Sequence, residues 1–519
     1  MGWGRQPIAW ATVILVVAAL LSPAATQQLG NLVNSGPAPG PGQAAQPKAP
    51  TTTNLQNAVA ALASALISVV TPERPAPTSP VSNVTLPYRP GRLLVKFRDL
   101  EGANYSQIVD TVNDWTGIDL IKVMAGTGIA VVNVTDGLST ERKAARLTSS
   151  ELVEWAEMDY LMSGDGRASQ PGWALTKLQA PQVWSQYTAG NCGVAVCHID
   201  SGMPWTNNHW YNPGEYAGFP RVDDDANGVV DDYFGANFMD QRKANVSWEQ
   251  NGGHGTGTAA TLGGPNDGNA NTQLGVSPKV SIMPCVAMDS NLNVPFSAAI
   301  SCIEWCKNNF ENIATMGGRQ RTGIYTMAWG SNSLLDSDSL RAVMQGADSR
   351  GRTRALFTAS AGNGQSPVHV PGSLGLSNII PLTFSDASDV VRGNTGSWID
   401  VAAPTGSTSD AAAVGGGLAA LMVAANPGLT PESIRAAFRA GVDVLSTTQG
   451  KVNTNGRLNA LKAFQFLERQ GLVQKARTMP DLTQQCNPVQ VWYPPWPTSR
   501  LGCTVGGSNT CWTSYSSQN

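Results

Sequence analysis

Three short segments, taken in chain order, supply a carboxylate, an imidazole and a hydroxyl. Residues 194–202 (VAVCHIDSG) are an apolar run ending at Asp200, residues 252–258 (GGHGTGT) set His254 among glycines, and residues 407–421 (STSDAAAVGGGLAAL) place Ser409 before a run of small residues. A serine hydroxyl is a poor nucleophile until an imidazole can take its proton. That imidazole in turn needs a carboxylate to hold its tautomer and stabilise its charged form. Of the four histidines, His198 lies inside the run that ends at Asp200, His209 sits in a loop and His369 comes later. His254 is the candidate base, because the flanking glycines leave room for close approach at a helix start. Asp200 should emerge at the carboxyl end of a parallel strand, where open α/β sheets gather their active groups; a helix N-cap is the competing reading. Ser409 would stand at the N-terminus of a helix over 409–425, where free N–H groups favour developing negative charge. Thr408 and Ser407 are neighbouring hydroxyls, so the register stays open at this point.

The elements around these residues alternate. Short apolar strands are expected near 194–199, 280–287, 323–329, 355–360 and 379–383, with helices near 254–262, 295–309, 336–350, 409–425 and 430–441. Such alternation predicts a parallel β-sheet flanked by helices on both faces, here over residues 171–466. Residues 89–163 read as a small α+β domain of β-α-β-β-α-β type, with strands near 91–98, 128–134 and 152–160 and helices near 105–115 and 139–148. Residues 27–88 are rich in Pro, Ala and Thr and read as a disordered linker holding one short helix at 54–70. Residues 467–519 form a tail with three cysteines and the segment WYPPW. It is read as a disulfide-tethered tail or, less favourably, as a binding appendage.

The Asp, His, Ser order and the motifs around it resemble the subtilisin-like serine proteases. The resemblance implies a subtilisin-like fold for 171–466, with residues 173–184 as the lead-in to its first core strand. It also implies that the ferredoxin-like unit 89–163 is an inhibitory propeptide, acting as a folding chaperone and an intramolecular inhibitor until it is cut away between 163 and 171. The segment 355–364 (ALFTASAGNG) looks like the family's strand and turn that present an oxyanion-hole amide, which would be Asn363. Protein or peptide substrates are implied, with no cofactor for catalysis. Two departures stand out. Ser407 replaces a family glycine, and about 15 to 20 residues that the family carries between its Ala-Pro turn and its nucleophile are missing after Pro404. That gap motivates an alternative, a catalytically inactive relative that binds through the cleft. An esterase is disfavoured, because no Gly-x-Ser-x-Gly elbow surrounds the candidate serine.

Composition narrows the remaining choices. A net charge of −3 with 14% charged residues offers no basic block for nucleic acid. Arg5, an apolar stretch over 8–21 and small residues at 22–26 read as a signal peptide over 1–26, and no later segment reads as a stable membrane span. Secretion is the expected destination, with the lumen of the secretory or vacuolar pathway as the alternative. Eight cysteines favour disulfides of undetermined pairing over a metal site at Cys302 and Cys306. Sequons at Asn83, Asn104, Asn133 and Asn245 suit a secreted glycoprotein. In 223–232 (DDDANGVVDD), Asp223, Asp225, Asn227 and Asp232 space oxygen ligands as structural calcium loops do; a solvated acidic turn is the equal alternative.

Overall fold

The computed structural model describes residues 87–477, apart from 99–116, 125, 151, 165–171, 205, 207, 217, 240–252, 265–274, 334–335 and 350–352. The expected signal peptide, most of the linker, the helix at 105–115, the segment 165–171 and the tail beyond 477 lie outside the described residues.

The first described elements are strands β1 (Tyr88–Phe97), β2 (Ile118–Met124) and β3 (Ile129–Val134), helix α1 (Thr140–Thr148) and strand β4 (Val153–Gly164). They form an antiparallel sheet in the order β4-β1-β3-β2. Ser139 caps α1 by accepting from the Arg142 N–H. Leu93, Val95 and Phe97 face α1 with Ala144 and Leu147, whereas Leu94 joins the main core on the other side. Both faces of the sheet are therefore covered, which is why β1 reads as an apolar run. Strand β2 takes the place of the second strand in the expected β-α-β-β-α-β pattern, whose range the sequence does not reveal because a bulge between Leu120 and Lys122 breaks its two-residue period.

The larger part continues with helices α2 (Gly172–Leu178) and α3 (Ala180–Gln186), strand β5 (Gly190–Asp200), the single turn α4 (Pro213–Tyr216), strand β6 (Ala236–Asn237), helix α5 (His254–Leu262), strands β7 (Lys279–Val286) and β8 (Asn293–Pro295), and helix α6 (Phe296–Thr315). Strands β9 (Thr322–Met327) and β10 (Trp329–Gly330), helix α7 (Asp338–Ser349), strands β11 (Arg354–Ser360), β12 (Ile379–Ser385) and β13 (Val401–Pro404), and helices α8 (Thr408–Ala425) and α9 (Pro431–Ala440) follow. The hairpin of β14 (Val442–Val444) and β15 (Gly456–Leu458) and helix α10 (Ala460–Arg469) end it.

The sheet order is β14-β15-β13-β12-β11-β9-β5-β7-β6, parallel throughout except for the β14 edge. Because β5 lies between β7 and β9, the chain leaves it first to one side and then to the other. Its carboxyl end is thus a topological switch point, where open sheets place ligands. Along β5, Ala195, Cys197 and Ile199 face the core shared with α6 and α7, while Val194 and Val196 face the core shared with α8 to α10.

Helix α6 is fastened to the sheet by disulfides Cys197–Cys306 and Cys285–Cys302. Helix α8 is long and apolar enough, by length and composition, to cross a membrane, contrary to the expectation of no such segment. It is nevertheless 89% buried inside the fold, as a core helix is.

The N-terminal sheet docks on this body through β4. Ser163 pairs with Asn293 of β8 and Gly330 of β10, and Gly164 pairs with Trp329. Two β4 carboxylates meet helix N-termini, where unpaired N–H groups attract negative charge. Asp159 accepts from the Ser297 N–H at 2.9 Å and its hydroxyl at 2.7 Å at the start of α6, and Glu157 accepts from the Ser339 N–H at 3.2 Å and the Ser337 hydroxyl at 3.3 Å at the start of α7. Burial pushes the Glu157 carboxyl up to about 7 against the pull of these donors. Because the folded value lies above the unfolded one, this group's contribution to stability is full below the ordinary glutamate range and is lost as pH rises through about 7. Glu157→Gln, which keeps an acceptor without a titrating charge, should flatten that part of the fall in Tm between about pH 5 and 8. Thermal unfolding in a Ser409→Ala background checks this; an unchanged slope contradicts it.

Candidate active site

Asp200, His254 and Ser409 are carried by three different elements and meet at the carboxyl end of β5. The His254 Nδ1 lies 2.7 Å from Asp200 Oδ1, and its Nε2 lies 2.8 Å from Ser409 Oγ. All three side chains are buried. Burial alone would raise the Asp200 carboxyl. The charge and hydrogen bond of His254, with the Ser201 N–H, outweigh it and hold the group below the usual carboxylate range.

Helix α5 begins at His254 because Gly255 lets it approach the end of β5. A Cβ at Gly255 would lie 2.0 Å from the Gly202 carbonyl oxygen, so a larger residue would push the helix off. The Gly255 N–H donates to Ser201 Oγ at 2.9 Å, fixing the same junction.

Helix α8 delivers Ser409 after the three-residue link 405–407 from β13. Asp400, fully buried, anchors the start of that strand by accepting from Arg435 and Arg439. Ser407 is the N-cap: its Oγ accepts from the Asp410 N–H at 3.1 Å and donates to Asp410 Oδ2 at 2.9 Å. Thr408 donates its N–H and its hydroxyl to Asn363 Oδ1, at 3.2 and 3.0 Å. The three neighbouring hydroxyls therefore have separate tasks, and Ser409 is the one that faces the imidazole. Asn363 follows Gly362, whose φ of +84° makes the turn after β11. With its oxygen held at Thr408, the amide's orientation is set one residue from Ser409.

Of the other histidines, His198 lies beside Asp200, with its Nε2 3.8 Å from Oδ2, whereas His209 and His369 sit elsewhere. His209 bonds to the Phe234 carbonyl at 2.8 Å and is pushed down to about 4 by burial, a neutral structural group. His369 bonds to Asn332 Oδ1 at 2.8 Å beneath the Asn363 turn.

The acidic loop gathers only part of the expected set. Asp225 and Asp232 converge with Glu215, which spacing did not reveal because it lies on α4 ahead of the loop; one carboxylate oxygen from each falls within 4.8 Å of the others. Asp223 instead accepts from the backbone N–H groups of Asn227 and Gly228. Asn227 donates its amide to Asp225 and Asp232 and accepts from the Val229 N–H. Burial followed by the Asp225 charge raises Glu215 to about 7 and Asp232 to about 8.

A hydroxyl, imidazole and carboxylate so aligned can attack an acyl carbon and return the proton to the leaving group. Comparisons with known proteins agree in kind. Residues 191–458 match the model of the subtilase family, and residues 75–159 match that of the fervidolysin N-terminal prodomain. Subtilisin-like protease 1 of Plasmodium vivax is 29% identical over 171 residues, 32% of this chain and 26% of that protein. Subtilisin-like protease 10 of Arthroderma otae is 25% identical over 225 residues, 42% of this chain and 46% of that protein. The chain thus spans less than half the length of these relatives. The crystal structure of fervidolysin from Fervidobacterium pennivorans, a keratinolytic enzyme related to subtilisin, superposes with a TM-score of 0.53 at 16% identity, covering 75% of this chain and 65% of that one.

If the Asn363 amide meets a developing oxyanion, Asn363→Ala should lower kcat on a chromogenic peptide by ~10²–10³ with little change in KM. Steady-state kinetics decide this, and a loss confined to KM contradicts it.

Proposed function

The chain belongs to the subtilase family, and on that premise we propose that it is a secreted serine endopeptidase made as a self-processing zymogen. The observation that carries the reading is the unbroken line from Asp200 through His254 to Ser409. Ser409 Oγ attacks the peptide carbonyl while His254 takes its proton. Asp200 steadies the resulting imidazolium, and Asn363 with the Ser409 N–H faces the oxyanion. His254 then protonates the leaving amine, and water repeats the sequence on the acyl-enzyme. An inactive binding relative is the competing reading, favoured by the short link 405–407 alone. Secretion rests on the leader-like N-terminus and suits the two disulfides. Asn133, the sequon among the described residues, lies on β3.

The propeptide reading rests on the prodomain match and on β4 entering between β8 and β10. The pairing of Gly164 with Trp329 leaves Ala328 as the next residue along, and the Ala328 carbonyl oxygen lies 3.3 Å from Ser409 Oγ. Cleavage should therefore fall one or two residues after Gly164. N-terminal sequencing of the expressed wild-type chain should find a new terminus within 166–167, and Ser409→Ala should stay uncut. Equal processing of both chains contradicts the reading.

A structural calcium ion suits Glu215, Asp225 and Asp232. Glu215 and Asp232 are buried and Asp225 is half-buried, and like charges so crowded bind protons well above their ordinary range unless a cation neutralises them. Calcium should raise Tm, more strongly at pH 8 than at about pH 6 where protons compete. Glu215→Gln with Asp232→Asn should remove the effect; a calcium response that survives the pair contradicts this assignment.

A further inference from the structure

His198 occupies a place where its strand calls for an apolar side chain. Its neighbours Val196 and Ile199 belong to the two hydrophobic cores, and the imidazole is itself 1% exposed. Burying such a group is costly unless it is hydrogen-bonded. Its Nε2 lies 2.8 Å from Thr258 Oγ1, on the second turn of α5, and Thr258 Oγ1 lies 3.0 Å from Asp200 Oδ2. A second polar residue has thus been placed, in a packed region, beside the carboxylate oxygen that His254 does not use.

Thr258 has one hydroxyl hydrogen and three acceptors within reach. These are Asp200 Oδ2, the Gly255 carbonyl at 3.2 Å and the His254 carbonyl at 3.3 Å. A threonine inside a helix ordinarily gives its hydrogen back to a carbonyl three or four residues earlier. A hydroxyl oxygen also accepts, and a bond to an ionised group is about twice as strong as one to a neutral group. With His198 in the tautomer that carries hydrogen on Nε2, it donates to Thr258, and the threonine hydrogen goes to the carboxylate. Asp200 is then held at both oxygens. Oδ1 accepts from His254 and from the Ser201 N–H at 2.8 Å, and Oδ2 accepts from Thr258.

We propose that His198 is a positioning residue for the hydrolytic reaction, acting through the Thr258 hydroxyl to fix the orientation of the Asp200 carboxylate. The proposal rests on the peptidase reading above. His198 does not touch substrate; it sets the plane of the carboxylate that sets the tautomer and tilt of His254.

The test uses the full chain carrying Thr258→Val, Thr258→Ser, His198→Val and the double variant His198→Val/Thr258→Val. Thr258→Val should lower kcat about 10- to 100-fold, the effect of losing a hydrogen bond to a charged group, with KM within about twofold. Thr258→Ser, which keeps the hydroxyl, should restore most of the rate. His198→Val should lower kcat in the same sense, and the double variant should be no worse than Thr258→Val, because the two residues act in series. Additive losses, a change in KM alone, or failure of the serine variant to restore the rate would overturn the proposal. Nitrogen-15 NMR of histidine-labelled Ser409→Ala protein gives a readout independent of activity. His198 should carry its hydrogen on Nε2, and the Nδ1 tautomer would overturn the proposal. A wild-type chain without hydrolytic activity would sink the peptidase reading and leave this NMR result to decide the hydrogen-bond assignment.

Discussion

A carboxylate with no solvent contact is the feature around which the rest of the fold is arranged. Asp200 is fully buried at the switch point of the sheet, and an ionised group there is tolerable only when donors surround it. His254 supplies one, the Ser201 backbone another and Thr258 a third. His254 and Thr258 reach it because α5 starts directly against the end of β5, an approach that depends on Gly255 having no side chain. The same junction points the far nitrogen of His254 at Ser409, so the solution to a burial problem is also the geometry of a reaction.

Helix α8 meets a comparable constraint from the other side. It must run close behind the sheet to bring its first turn to His254, and three successive glycines make this feasible. A Cβ at Gly416 would lie 2.2 Å from Thr326 Oγ1, and one at Gly417 would lie 2.7 Å from the Leu262 carbonyl. Glycine weakens a helix by roughly 0.5–1 kcal/mol per residue relative to alanine, a cost offset here by packing over nearly the whole helix surface. The short link before α8 is compatible with this placement. Asp400 and its two arginines hold β13, and Ser407 closes the helix end that the link exposes.

Much of this was legible in the chain. The Asp, His and Ser segments carry local signals, an apolar strand ending in a carboxylate, glycines around an imidazole and a small-residue helix, and those signals survive in any single sequence. The parallel sheet followed from alternating apolar strands and helices. Other parts depend on contacts distant in sequence. Glu215 joins Asp225 and Asp232 only through folding, and the cysteine pairs join β5 and β7 to α6 across 109 and 17 residues. Strand β2 was hidden by its bulge. His198 was passed over because a histidine inside an apolar strand carries no spacing signal; only the position of Thr258, 60 residues on, gives it a role.

The most direct test of the central claim is to treat the expressed, processed chain with a fluorophosphonate probe and map the labelled peptide by mass spectrometry. The account predicts a single adduct on Ser409 that disappears in His254→Ala while the fold is kept. An unlabelled Ser409 in a folded chain with its cleft open, or an adduct on Ser407 or another serine, would contradict it.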